Sequence, residues 1–312
     1  MDDEARSIGA GSPSRLLAGL GWLIAKLPPA VLRVLGACIG FLAGSLLRIR
    51  RAHVEQAMEA GGIRHPRSSA RAMYRSLGTS LFEFLWLAGG DAARLDACVR
   101  MDERSRRALA EARALGRGIV LAATHTGNWD LAACAMAREG PLLVVTKRLS
   151  LRALDHFWQS TRRGYGVRLC EAKGAMNEGR RMLRAGGAVA MMIDQVPVRW
   201  QHAVTVSFFG RPAHTDKAPA ALAASAGAPL VVAGACRGPE GLHHLCVLDV
   251  LFPGEHARRA WIEEATRRST YALERFVREH PSEWLWLHRR WKRLPKHPPG
   301  APREPIAEGP RM

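Results

Sequence analysis

Residues 122–138, AATHTGNWDLAACAMAR, decide how the rest of the chain is read. They continue an apolar run, GIVLAA at 118–123, whose length and lack of polar residues suit a buried strand. A polar turn follows, then helical spacing with Leu131, Cys134 and Ala135 on one side. His125 stands where the strand runs out. Gly127 permits a tight turn, and Asn128 suits the N-cap of the helix. Asp130 falls in the first helical turn, where exposed N–H groups favour a carboxylate. The spacing therefore predicts an imidazole and a carboxylate meeting across a strand-to-helix turn. Asp130 would fix the His125 tautomer and offset the charge it gains, as a base of near-neutral pKa requires.

At 312 residues the chain has ample length for a large core. Its 46 Lys and Arg against 28 Asp and Glu give a formal charge of +18, which calls for a polyanionic partner. Nucleic acid, anionic lipid headgroups and an acidic carrier protein all satisfy charge alone. With three Tyr and eight Phe, no basic stretch interleaves with aromatics as a single-strand stacking platform would, so no specific nucleic acid is expected. The six cysteines are scattered, without CxxC spacing, and read as free thiols in a reducing compartment. No metal site and no cofactor are expected.

Residues 1–12 are polar and read as a disordered N-terminus. Residues 13–51 read as a hydrophobic membrane anchor divided by Pro28-Pro29, with Arg48, Arg50 and Arg51 at its end. Its cleanest apolar run, 34–47, is shorter than the roughly 20 residues that span a bilayer. One span with a snorkelling Arg33, two short interfacial helices, or a helix packed on the domain remain open. Helices follow; residues 71–87 carry a stripe of Met73, Leu77, Leu81, Phe84 and Leu85, with Glu83 read as solvated, capping or functional. From residue 118 onward, apolar strand-length runs alternate with helical segments. That alternation predicts an α/β fold with a mostly parallel central sheet flanked by helices, following the N-terminal helical anchor. A last strand at 242–251 is expected to be broken by His243-His244. Residues 52–294 form the main domain, and 295–312 a Pro-rich tail.

The block THTGNWDLA resembles the H-x4-D/E motif of the lysophospholipid acyltransferase superfamily. In the fuller form His125-Thr-Gly-Asn-Trp-Asp130 it is similar to the lipid A late acyltransferases and the phosphatidylinositol mannoside acyltransferases. Asp194-Gln195, then FFGRP at 208–212 and WLWLHRRWK at 284–292, resemble further blocks of that branch in the same order. Two departures bear on the acceptor. Asp130 stands where the lipid A branch commonly has Glu, and Thr146-Lys147-Arg148 replaces its Tyr-Arg-Pro. Both lean towards the mannoside-acylating relatives, which nonetheless often carry Glu where Lys147 stands.

The resemblance implies transfer of a fatty acyl chain from acyl-ACP or acyl-CoA to a hydroxyl of a membrane lipid, most simply of lipid A type. The site would lie on the cytoplasmic side of a bacterial inner membrane. His125 would be the general base and Asp130 its partner. The Gly127 turn, Lys147 or Arg162 would stabilise the oxyanion or hold the donor; Arg162 corresponds to an arginine the family carries ahead of a glycine. Asn128 and Asp194 would bind substrate, while Phe208, Phe209 and Gly210 would shape the acyl or pantetheine groove. No G-x-S-x-G nucleophile elbow is present, so no covalent acyl-enzyme is expected. A glycerolipid or aminolipid acyltransferase using acyl-CoA is the alternative enzyme, and a non-catalytic basic membrane-binding protein the alternative from another class.

Overall fold

A computed structural model describes residues 12–90, 92–197, 200–254 and 258–292. The chain enters through two apolar helices, α1 (Ser12–Ile24) and α2 (Pro29–Phe41), parted where Pro28 and Pro29 interrupt hydrogen bonding. A π-helical turn at Leu42–Leu46 prolongs α2. Three helices follow: α3 (Arg51–Ala60), α4 (Pro66–Ala88) and α5 (Ala92–Cys98). Next come β1 (Val99–Met101), α6 (Glu103–Ala114), β2 (Ile119–Ala123) and α7 (Trp129–Arg138). The alternation continues with β3 (Leu142–Thr146), α8 (Arg152–Gly164), β4 (Val167–Glu171), α9 (Ala175–Arg184) and β5 (Ala188–Met192). A hairpin of β6 (Ala203–Phe208) and β7 (Arg211–Asp216) leads to α10 (Ala218–Ala226). Strands β8 (Leu230–Arg237) and β9 (His243–Leu251) and the long helix α11 (Arg258–Glu279) complete the elements.

The sheet has seven strands in the order β1-β9-β8-β2-β5-β3-β4. The run β8-β2-β5-β3-β4 is parallel, and β9 and β1 run the other way at one edge. The α/β expectation therefore holds. Central strands are apolar along their whole length because helices cover both faces. On one face Leu121, Ala190 and Val231 pack with Leu131 of α7 and Leu109 of α6. On the other, Val120, Val189 and Val232 pack with Leu183 of α9, Leu222 of α10 and Ala265 of α11. The expected break at His243-His244 does not occur: both residues pair in register with β8 and β1. His243 is buried there because Glu83 supplies its polar contact.

A separate aromatic core joins α3, α4 and the C-terminal segment. Trp284, Trp286 and Phe208 are all buried in it beside Val54, Met58 and Met73. Arg290 is wholly buried too, bonded through its guanidinium to the His214 carbonyl and the Thr215 hydroxyl. Burial pushes its pKa down to about 10.

The α2 stretch Pro29–Leu46 is long and apolar enough to cross a membrane, yet one face of it is committed to α4. A Cβ on Gly36 would lie 2.3 Å from Thr79 Cα, and one on Gly40 2.2 Å from the Tyr74 carbonyl oxygen. Only glycine permits this backbone-to-backbone approach. Away from that seam Val34, Leu35, Ile39, Leu46 and Leu47 are exposed, as are Trp22 and Leu23 of α1. So contiguous an apolar surface marks a membrane- or partner-facing site. On α4 itself Leu81 is exposed, and the buried stripe runs through Met73, Phe84 and Leu85. Residues 1–11 and the tail at 295–312 lie outside the described residues.

Candidate active site

The strand β2 ends at Ala123, and the next five residues are pinned from two sides. The Ala235 N–H donates to Thr126 Oγ1 at 3.1 Å, fastening the turn to β8. Gly127 donates its N–H to the Glu283 carbonyl at 2.8 Å, and Leu285 donates to the His125 carbonyl at 3.1 Å. Gly127 sits at φ 57°, and a Cβ there would lie 2.7 Å from the Ala235 carbonyl oxygen. The turn thus requires glycine twice over, for its φ and for space. Asn128 caps α7 by accepting from the Leu131 N–H at 3.2 Å.

His125 emerges from this turn with its side chain 17% exposed. Its Nδ1 lies 2.8 Å from Asp194 Oδ1, and its backbone N–H donates to Asp194 Oδ2 at 2.8 Å. Trp284 Nε1–H donates to the same Oδ2 at 2.9 Å, within a carboxylate that is 2% exposed. Sheet register explains the meeting. Ala123 of β2 pairs with Met192 of β5, so the residues two further along, His125 and Asp194, leave the sheet side by side. Both stand at the C-terminal ends of parallel strands, where α/β folds place their sites.

The electrostatics follow from this contact. Burial alone would lower the His125 pKa, but the charge and hydrogen bond of Asp194, with Asp130 adding at longer range, raise it above the ordinary value. Burial opposes ionisation of Asp194, yet His125 and the Trp284 N–H hold it down at about 2. An anionic Asp194 accepts a hydrogen bond from Nδ1–H and leaves Nε2 as the basic nitrogen. Gln195 Nε2 is 3.4 Å from each ring nitrogen, and the edge of Trp129 lies against the imidazole at 5.2 Å between centroids.

The carboxylate in direct contact is therefore Asp194, where the spacing had suggested Asp130. Asp130 is buried on the α8 side of α7, bonded to the Arg162 guanidinium and to Trp158 Nε1 at 3.1 Å. With α7 beginning at Trp129, Asp130 enters on the helix face turned towards α8. Arg162 is in turn committed: Nε meets Asp130 at 2.7 Å, and Nη1 reaches Gln159 and Thr146. Lys147 is exposed beyond the end of β3.

Other expected site residues serve the scaffold. The Gly127 N–H is spent on Glu283, so it has none to offer an oxyanion. Asn128 is 2% exposed and spends its amide on the Ser80 carbonyl and Glu83. Phe208 and Phe209 lie in the aromatic core, with Phe208 packed edge-on to Trp284 at 5.4 Å. Phe209 and Gly210, at φ 53° and 71°, form the tight β6–β7 turn instead of lining a groove.

Two further parts have partners that the sequence did not assign. Trp284 holds Asp194; its W-x-W block was legible, but its partner was not. Glu83 is the centre of a buried network, joined to the Arg237 guanidinium, to His243 Nε2 at 2.9 Å and to the Asn128 amide at 3.1 Å. Burial opposes its charge, but His243 and Arg237 hold its pKa at about 2. It braces the start of α7 from behind, so neither solvation nor capping describes it.

An apolar cavity of about 80 Å³ adjoins the His125 turn. It runs along the α7 face of the sheet, from Thr124, Thr126 and Trp129 inward past Ala190 to Leu142 and Leu109. A cleft of about 440 Å³ between α1 and α8 shares no residue with it. Among the described residues, no group of three or more His, Cys, Asp or Glu is placed to hold a metal ion.

Comparison with known proteins points the same way. The chain is 26% identical over 183 residues to a phosphatidylinositol mannoside acyltransferase of Mycobacterium tuberculosis, in strains CDC 1551 / Oshkosh and ATCC 25618 / H37Rv. The alignment covers 57% of this chain and 56% of that relative, so the chain spans little more than half the length of the curated relatives it matches. The family model for bacterial lipid A biosynthesis acyltransferases matches residues 13–293, nearly the whole chain, including every block described above. The chain belongs to the bacterial lipid A biosynthesis acyltransferase family.

Proposed function

We propose that the protein is a membrane-associated O-acyltransferase that moves a fatty acyl chain from a thioester on acyl carrier protein or CoA to a hydroxyl of a lipid A-type glycolipid. The observation that carries this is the His125 imidazole, fixed by Asp194 beside an apolar cavity. Nε2 of His125 takes the proton of the acceptor hydroxyl as the oxygen attacks the thioester carbonyl, a step typically worth about 10²–10⁴ in rate. The tetrahedral intermediate collapses, breaking the C–S bond, and the thiolate leaves with the proton that His125 has held. The ester and a free thiol are the products. The positive dipole end of α7, which begins at Trp129 four residues after His125, is available to stabilise the developing oxyanion. The first methylenes of the acyl chain enter the apolar cavity, which at about 80 Å³ must widen to take more.

The exposed apolar face of α1 and α2 supports residence on a membrane. Basic residues add attraction to an anionic leaflet, on the order of 1 kcal/mol each. The donor thioesters are cytosolic, so the site faces the cytoplasm at the inner membrane. A basic surface also speeds docking of an acidic carrier.

A mannosyl phospholipid acceptor is the second reading, favoured by Asp130 in the motif and by the mycobacterial similarity. Purified protein is to be given radiolabelled acyl-ACP or acyl-CoA with either a lipid A precursor or a phosphatidylinositol mannoside. Transfer to one acceptor that vanishes in His125→Ala is expected. Full transfer by His125→Ala would overturn the mechanism.

A further inference from the structure

The anchor and the catalytic turn are linked by a strained basic bend. Directly after α2 the chain runs Leu46-Leu47-Arg48-Ile49-Arg50, all exposed. Arg48 and Arg50 both adopt left-handed backbone conformations, at φ 50° and 52°. Such conformations in residues other than glycine persist only where the surroundings impose them, and they gather at binding sites. Here Tyr74 Oη–H donates to the Ile49 carbonyl from α4. On the other side Arg50 Nη1 donates to the Leu287 carbonyl at 3.2 Å, and His53 Nε2 lies 3.5 Å from the His288 carbonyl.

That C-terminal segment is the one that backs the catalytic turn, since Leu285 bonds to the His125 carbonyl. His288 lies three residues on, half-buried, and its Nδ1 is a buried nitrogen without a hydrogen-bond partner. Burial and the cations Arg290, His125 and Arg50 hold its pKa below the ordinary value, against the pull of Asp194. Among the described residues Arg48, Arg50 and Arg289 have no acidic partner, whereas Arg51 is paired with Glu55. Cationic side chains without acids, beside an imidazole with a spare nitrogen, want an anion.

We propose that Arg50 and His288, with Arg48 at the rim, form a subsite for the acidic phosphate headgroup of the acceptor lipid. This deepens the acyltransferase reading and rests on it. The apolar neighbours decide between a lipid and a soluble anion. Leu46 and Leu47 are exposed just before Arg48, and Ile49 between the two arginines, so the site opens where lipid chains, not water, flank it. The subsite and the apolar cavity share no residue, which leaves the acceptor and the acyl chain separate approaches to His125.

The test is calorimetric titration of the full chain in neutral detergent, with His125→Ala as the parent so that no turnover occurs. The probes are dihexanoyl phosphatidic acid, dihexanoyl phosphatidylcholine and inorganic phosphate. The acidic lipid should bind, and Arg50→Gln and His288→Asn should each weaken it about tenfold, the worth of one charge-assisted hydrogen bond. The exposed Arg104→Gln, a charge-matched control on α6, should leave it unchanged. If the left-handed Arg50 position does not tolerate Gln, His288→Asn alone decides. Equal binding by the His288 variant, equal loss in Arg104→Gln, or inorganic phosphate binding as tightly as the lipid would each overturn the subsite. Because binding is read without acyl transfer, failure here and failure of the proposed reaction are seen separately.

Discussion

Asp194 grips His125 at two points, its Oδ1 on the imidazole Nδ1 and its Oδ2 on the backbone N–H of the same residue, each at 2.8 Å. One carboxylate thus sets the ring tautomer and the position of the loop that carries the ring. Asp194→Asn keeps the shape and removes the charge. The turnover number should fall by about 10²–10⁴, with the Michaelis constant little changed. The pH profile carries the sign. His125 must be neutral to accept a proton, so activity in the parent should rise through a pKa raised above the ordinary imidazole value. Of the charges around the ring, Asp194 and Asp130 raise that value and Arg162 lowers it. Removing the Asp194 charge should therefore move the acid limb of kcat/KM to lower pH. A limb that stays in place would mean that another group is being titrated.

Asp130 should behave as a buried structural ion. With Arg162→Met, its carboxylate is left without its guanidinium in a pair whose side chains are 5% and 12% exposed. Breaking such a pair costs about 3–5 kcal/mol. The thermal midpoint of Arg162→Met should drop sharply, and the double variant Asp130→Asn, Arg162→Met should recover part of the loss. In acyl-transfer assays Asp130→Asn should keep more activity than Asp194→Asn. The reverse order would restore Asp130 as the direct partner of the base.

Ala190 forms part of the inner wall of the apolar cavity. Leucine there fills much of that cavity, which in the proposed reaction receives the acyl chain, at an overpacking cost of about 1–3 kcal/mol. Assayed against acyl donors of graded length, Ala190→Leu should turn over short chains at near the parental rate and lose the longest. A length preference identical to the parent would remove the cavity from the mechanism.

Gly36 and Gly19 both lie on apolar N-terminal helices, but only Gly36 meets backbone. Valine at 36 would press on Thr79 and separate α2 from α4, whereas a Cβ on Gly19 meets nothing within 4 Å. Limited proteolysis should cut between residues 42 and 50 in Gly36→Val and leave Gly19→Val as resistant as the parent. Equal resistance would make the glycine seam dispensable.

Local sequence carried a large share of this. The strand, the Gly127 turn, the Asn128 cap and the α/β alternation were readable because each depends on residues within one or two turns of chain. Pro28-Pro29 parted the apolar N-terminal helices for the same reason. The partner of His125 was not readable, because it depends on strand order. Asp194 is 69 residues away, and only the pairing of β2 with β5 brings it alongside. Glu83 and Phe208 misled for a related reason: their type allowed a functional or a packing role, and burial alone decided between them.

By itself the sequence determined a basic, apolar-fronted α/β chain with an imidazole at a strand end, and its motif blocks determined the family. Tertiary structure decided which carboxylate holds that imidazole, and it bound the glycines of α2 to α4. It also brought Arg50, which follows the apolar helices, against the segment behind the His125 turn. Periodicity and turn chemistry are local and survive in one dimension. Electrostatic pairing and close packing act across a few ångströms of space, between residues far apart in the chain.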